Sequence, residues 1–197
     1  MIKQKGCLFV FTGPSGVGKG TLLKRVMEQE ENLFLSISAT TRAPRPEDKD
    51  GVTYYFITRE QFEQKIAAGE FLEHAQYSGN YYGTPLAPIE EHLNRGEDVI
   101  LEIEVQGAMQ IREKRPDAAM IFVVPPDLPT LEARLRGRNT EDEETILKRL
   151  AISREELEQT GQFDYLVVNE ELDRAVQELR AVLQAERTRT AHRRFEA

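Results

Sequence analysis

Residues Gly13 to Lys19 read GPSGVGK, one residue after the apolar run GCLFVF and just before a stretch whose apolar positions Leu22, Leu23, Val26 and Met27 recur at helical spacing. Strand, glycine loop and helix in that order make an anion site. Backbone N–H groups of the loop and the helix N-terminus surround a polyphosphate, and the lysine neutralises it. Glycine is needed because nothing bulkier lets the backbone approach phosphate oxygens so closely. Gly13, Pro14, Ser15, Gly16, Val17, Gly18, Lys19, Gly20 and Thr21 are therefore the first candidate site. Gly20 stands where the usual pattern has a Ser or Thr hydroxyl for magnesium, and Thr21 comes one place late. A Mg2+ ion here is expected to be held mainly by nucleotide oxygens, waters and an acidic residue elsewhere.

A loop of this kind needs a buried sheet behind it, and the rest of the chain supplies one. Leu33 to Ser38, Asp98 to Ile103, Ala119 to Val124 and Tyr165 to Val168 are further apolar, β-prone runs. Helical patterns separate most of them: Val105 to Lys114, Pro129 to Arg136, a face of Ile146, Leu150, Ser153 and Leu157, and a last face of Leu172, Val176, Leu179 and Leu183. The rhythm predicts an α/β fold with a five-stranded, mostly parallel sheet and ligands at the carboxyl ends of its strands. Ala39 to Gly96 breaks it. That segment holds the β-like TYYFI, a helix begun by Thr58 with Gln61 as capping-box partner, then FLEHAQY, a Gly79-Asn80 turn and a helix stopped by Gly96. It reads as a small mixed α+β insertion, and Gly137 to Asp142 reads as a second, where two helices meet in polar sequence.

Composition narrows the function. With 197 residues, 40% of them hydrophobic, one domain with a real core is expected. The apolar runs reach about half a dozen residues, far short of the ~20 a membrane helix needs. MIKQKG has no signal-peptide pattern, so a cytoplasmic protein is expected, with no membrane partner. One cysteine, Cys7, and three scattered histidines argue against a disulfide, thiol chemistry or a zinc site. A net charge of −8 argues against nucleic acid as a partner, and the tail arginines 187, 189, 193 and 194 read as a solvated helix end.

Other residues offer chemistry for small anions. Arg42 and Arg45 lie three apart in a stretch that Pro44 and Pro46 keep extended, a pairing suited to phosphate oxygens. Tyr54, Tyr81 and Tyr82 add hydroxyls, although such rings are more often packed. Glu102 and Glu104, at the end of a strand, point to one face beside the nucleotide cleft. Glu73 alone would read as a surface acid. Arg134 and Arg138 are one helical turn apart, and with Arg149 they form either a salt-bridged surface or a basic lid over transferring phosphates.

In combination, GPSGVGKGT, SISATTRAPR, GVTYYF, GEFLEHAQYSGNYYGTP, LEIEVQG, RLRGRNTEDEETILKRL and FDYLVVN resemble the guanylate kinases over nearly the whole chain. The resemblance implies transfer of the terminal phosphate of ATP to GMP with Mg2+, by direct in-line attack. It implies a P-loop kinase core (1–38, 97–125 and 156–197), a GMP-binding insertion (39–96) and a helical lid (126–155). Ser38, Glu73, Thr84 and Glu102 would read guanine, while Arg42, Arg45, Tyr54 and Tyr82 would hold the GMP phosphate. Lys19, Arg134, Arg138 and Arg149 would act on the ATP phosphates, Arg42 would join them in catalysis, and Asn169 would lie near adenine. Many relatives carry aspartate where Glu102 and Glu104 stand, which leaves their division between base and magnesium open. Glu104 would reach the ion through water. The pattern also leaves open whether dGMP is an acceptor and whether the last helix meets another subunit of a homo-oligomer. Two rival readings are a kinase for AMP or UMP and a non-catalytic binding module of the same fold.

Overall fold

The computed structural model describes residues 2–77, 79–137 and 142–195. Its first part comprises β1 (Ile2–Gln4), β2 (Leu8–Thr12), α1 (Lys19–Met27) and β3 (Leu33–Leu35). The middle part comprises β4 (Ala39–Thr40), β5 (Tyr55–Phe56), α2 (Arg59–Ala67), β6 (Phe71–Tyr77), β7 (Asn80–Pro85) and α3 (Leu86–Asn94). There follow β8 (Asp98–Glu102), α4 (Val105–Lys114), β9 (Ala119–Val124), α5 (Leu128–Arg136), α6 (Glu143–Glu158), β10 (Tyr165–Val168), α7 (Leu172–Arg187) and β11 (Arg193–Phe195).

Five strands form the parallel sheet in the order β10-β9-β2-β8-β3. β2 is its centre, and every residue of β2 is buried. Phe9 and Phe11 enter one cluster with Leu22, Leu23 and Leu179, while Leu8 and Val10 enter the opposite one with Ile89, Ile111 and Met120. A strand covered on both faces has no reason to alternate apolar with polar residues, which is why this segment reads as an unbroken apolar run. β2 starts two residues later than the run GCLFVF. The Gly6 N–H goes to the Leu93 carbonyl and the Cys7 N–H to the Asp98 carboxylate, so the ladder begins at Leu8. β3 ends early, at Leu35, and Ser36 to Ser38 line the wall of a cleft.

The middle part forms its own four-stranded sheet, β5-β4-β7-β6, parallel only between β4 and β5. Thr58 and Gln61 make the capping box at the start of α2. That helix sends Phe62 between Phe71 and Tyr81, at ring separations of 4.4 and 5.2 Å, giving the small sheet a core separate from the main one. Farther on, α5 and α6 bury Leu131, Leu135, Ile146 and Leu150 in the same cluster as Phe9 and Phe11. Asp127 and Asp142 cap these two helices. The expected second insertion falls largely on residues 138–141, outside the described residues.

The tail departs only in part from the expected solvated helix end: Arg189, Arg193 and Arg194 are exposed, but Arg187 is not. Arg187 is mostly buried on α7 and donates to Asp98 at 2.5 Å and to Glu30 at 2.8 Å. Arg193 and Arg194 lie in β11, which pairs antiparallel with β1. Neither feature leaves a local trace, because the partners are remote in sequence, Asp98 at mid-chain and Glu30 and β1 near the other end, and three polar-rich residues are too few to show a period. Asp98, only 1% exposed, also accepts from the Cys7 N–H at 2.8 Å. Burial, followed by the nearby Asp98 charge, pushes the Cys7 thiol up to about 12, so this cysteine stays protonated and unreactive. Removing one partner of a buried ion pair strands the other, at about 3–5 kcal/mol. Arg187→Met should therefore lower unfolding free energy by about that amount in urea titration; a loss below ~1 kcal/mol would show that Asp98 does not depend on the pair.

Candidate active site

β2 delivers the glycine loop to the carboxyl edge of the sheet, where α1 begins at Lys19. Gly18 caps the helix with φ +97°, and a Cβ there would lie 2.5 Å from the Asn169 amide nitrogen, so only glycine fits. The same amide donates to the Val17 carbonyl at 2.8 Å, and Arg134 donates to the Val17 and Asn169 carbonyls at 3.3 and 2.9 Å. Asn169 is buried and braces the loop from below. Lys19 Nζ donates to the Gly13 carbonyl at 2.5 Å and to Pro14 at 3.4 Å, lying across its own loop. From α6, Arg149 donates to the Ser15 hydroxyl at 3.0 Å.

Two cavities flank the strand end that carries Glu102, beside the cleft of about 430 Å³ lined by Lys19, Ser36 to Ser38 and Tyr54. The larger, about 540 Å³, is lined by loop residues from Pro14 to Thr21 with Glu102, Glu104, Arg149 and Glu156. The smaller, about 280 Å³, is lined by Ser38, Arg42, Arg45, Tyr54, Glu73 and Tyr82, together with Asp48 and Gly107. Glu102 at the end of β8 and Glu104 at the start of α4 belong to both, so these two carboxylates form the shared wall.

In the smaller cavity Glu73, 4% exposed, accepts from the Thr84 hydroxyl at 2.5 Å across the β6–β7 ladder. Burial raises its carboxyl above the usual range, against the pull of the Thr84 bonds and of Lys114. A lone acid in FLEHAQY gives no sequence sign of such burial; the strand pairing creates it. Gly107 was also silent in sequence. A Cβ on it would meet Glu73 Oε2 at 2.4 Å, so α4 needs glycine there to let the carboxylate in. Tyr54 and Tyr82 meet edge to face at 6.0 Å, and the Arg42 guanidinium lies 5.4 Å from the Tyr54 ring centre. Burial raises the Tyr54 hydroxyl, so it remains a donor at neutral pH.

On the shared wall, Glu102 opens to the cleft, yet desolvation by the protein around it and then the Glu104 charge raise its carboxyl, with Lys19 opposing them. Glu156 rises to about 7, through burial first and Glu104 second, again against Lys19. Glu156 is the one acid of the larger cavity that was not anticipated. Its signal was available in retrospect, since position 156 is two helical turns from Arg149 on the same face of α6. Of the predicted lid arginines, Arg134 and Arg149 reach the glycine loop; Arg138 lies outside the described residues.

A parallel α/β core carrying a glycine loop, joined across two carboxylates to a second cavity with paired arginines, defines the P-loop class of phosphotransferases. The model of the family described as guanylate kinase matches residues 5–186. The guanylate kinase of Enterococcus faecalis is 50% identical over 189 residues, covering 95% of this chain and 93% of its own. That of Synechocystis is 53% identical over 175 residues, with 89% and 92% covered. The crystal structure of guanylate kinase from Anaplasma phagocytophilum superposes with a TM-score of 0.81 at 31% identity, over 98% of this chain and 92% of that one. The chain belongs to the guanylate kinase family.

Burial of Glu73 has a measurable sign. An acid with a raised folded pKa destabilises the fold once ionised, so the penalty is absent below the ordinary carboxylate range and grows as pH rises through the folded value. Glu73→Gln cannot ionise. Its unfolding free energy relative to wild type should increase from pH 4 to pH 8, measured by urea titration across that range, and a flat difference would mean that Glu73 is not desolvated.

Proposed function

We propose that the larger cavity takes ATP and the smaller one GMP, for transfer of the terminal phosphate of ATP to GMP to give ADP and GDP. The observation that carries this reading is the shared wall. Glu102 and Glu104 divide a lysine and glycine loop from a pair of arginines and a buried acid, so two phosphorylated ligands would face each other end to end. An in-line displacement needs that arrangement, and positioning with charge neutralisation does most of the work in such a transfer.

Each side chain then has a task. Guanine presents a ring N–H beside an amino group, and Glu73 can accept from both, held by Thr84. Ser38 and Glu102 border the same cavity and complete base recognition. Adenine offers an acceptor at the ring position and would leave a buried carboxylate unpaired, a mismatch that rejects by ~10⁴ or more. Arg42, Arg45, Tyr54 and Tyr82 hold the GMP phosphate, which is largely dianionic at neutral pH, its second pKa being near ~6, and so needs no general base. Lys19 and Arg149 swing from the loop atoms they now touch to the phosphates of ATP, with Arg134 fixing the loop and Arg138 joining from the lid. The lid, residues 126–155, closes over the pair and keeps out water, the competing acceptor.

The donor set fits Mg2+ accompanying ATP. Thr21, Glu102 and Glu104 offer hard oxygens around the larger cavity, while no group of three or more His, Cys, Asp or Glu among the described residues is placed to hold a metal directly. Nucleotide oxygens and water would supply most of the shell, with Glu104 reaching it through water. The bound ion would neutralise the developing charge on the β- and γ-phosphates. Among the described residues no helix is long and apolar enough to cross a membrane.

ADP formation from MgATP should show a strong preference for GMP over AMP, UMP and CMP, with dGMP as the informative further acceptor. Lys19→Ala should lower kcat at least ~10²-fold, the scale of one preorganised charge. Activity within threefold of wild type would take Lys19 out of the transfer, and a preference for another monophosphate would overturn the guanine assignments. Gly107→Ala should raise KM for GMP ~10-fold or more by displacing Glu73, while KM for ATP holds; an unchanged KM for GMP would remove Glu73 from base recognition.

A further inference from the structure

The stretch that offers Arg42 and Arg45 has little regular structure of its own. β4 ends at Thr40, and the next strand begins only at Tyr55. A guanidinium on such a stretch would ordinarily sample many rotamers and lose that freedom on binding. Arg42 does not. Its Nη2 donates to Asp48 Oδ2 at 2.8 Å and its Nη1 to the Ala43 carbonyl at 2.8 Å, with the Tyr54 and Phe56 rings 5.4 and 5.7 Å from the guanidinium carbon. The same Asp48 oxygen accepts from the Arg45 backbone N–H at 2.7 Å. One carboxylate oxygen thus ties the first arginine's head to the second arginine's backbone.

Asp48 is itself well fixed. Its own N–H donates to the Arg45 carbonyl at 3.0 Å, closing a turn, and its side chain retains 9% of its exposed surface. The next residues fold back through Thr53, whose N–H and hydroxyl both donate to the Lys49 carbonyl, at 2.9 and 3.0 Å, and so bring Tyr54 alongside. The Arg45 N–H and then the Arg42 guanidinium hold the Asp48 carboxyl below the usual range, so it is charged at neutral pH.

A negative charge on the lining of a cavity meant for a dianion weakens the attraction it should provide. That cost calls for a return. We propose that Asp48 is a positioning residue of the GMP phosphate site, holding Arg42 in its receiving orientation before GMP arrives so that the ordering is not charged against binding. The inference rests on the smaller cavity being the GMP site. It assigns Asp48 no contact with the transferring phosphate. The opposite role, a counter-ion that GMP must displace, predicts the opposite sign.

Calorimetric titration of GMP without ATP, paired with steady-state kinetics, separates the two. Asp48→Ala should weaken GMP binding ~10-fold or more, the scale of a lost charge-assisted hydrogen bond, with kcat at saturating GMP within threefold and KM for ATP unchanged. Asp48→Glu should recover most of the loss, and Asp48→Asn, which keeps an acceptor without the charge, should fall between. In an Arg42→Ala background, Asp48→Ala should cost less than twofold more. Equal or tighter GMP binding by Asp48→Ala or Asp48→Asn overturns the proposal, as does a full loss in the Arg42→Ala background. Wild-type protein that turns over another monophosphate and shows no GMP affinity would instead remove the reading of the cavity.

Discussion

The carbonyl of Val17 is the point on which the loop's geometry turns. A polyphosphate site made of backbone N–H groups works only if the loop is already in the receiving shape, because a loop that must be ordered by its ligand spends affinity on the ordering. Asn169, just beyond β10, and Arg134, on α5, both donate to that carbonyl. The sheet order explains how they get there. β9 lies between β10 and β2, and the Asn169 N–H continues the β10–β9 ladder to the Val124 carbonyl, so the amide arrives directly under the loop. Two residues remote in sequence thereby preorganise a seven-residue motif that sequence alone presents as self-sufficient.

The second constraint is where the sheet ends. β8 stops at Glu102 and α4 starts after Glu104, and the two carboxylates face the cleft with the buried Ile103 between them. One strand end therefore borders both cavities. In the proposed assignment the core itself would bring phosphate donor and acceptor together, and the insertion would need only to hold the base and its phosphate at the correct depth. The raised carboxyls of the buried Glu73 and of Glu102 and Glu156 along the cleft are the electrostatic signature of that crowding, with desolvation by the surrounding protein the leading cause in each.

Much of this was legible in the sequence because it rests on local signals. The apolar runs became strands, with Ala119 to Val124 and Tyr165 to Val168 at their expected limits. The Thr58 and Gln61 capping box and the 105–114 helix followed from short-range patterns of the same kind. The glycine loop and the arginine pair were visible as spacing. What was not legible depends on contacts between distant segments. Gly107 carries no sign that a carboxylate 34 positions away needs its missing Cβ. Asp48 looks like one acid in a polar loop, and its meaning lies in the two arginine segments it ties. Arg187 reads as tail charge until Asp98 is seen beneath it.

Arg149, Ser153 and Glu156 ride on one continuous helix, α6, so they cannot move independently. With about 1.5 Å of rise per residue, Arg149 stands about 13 Å from the carboxyl end of that helix and Glu156 only about 3 Å. A tilt of about 10° about that carboxyl end would carry Arg149 through about 2 Å while Glu156 shifts by about half an ångström. The helix is thus a graded lever: its far end can shift by ångströms over the glycine loop, while its near end stays in place at the floor of the cleft.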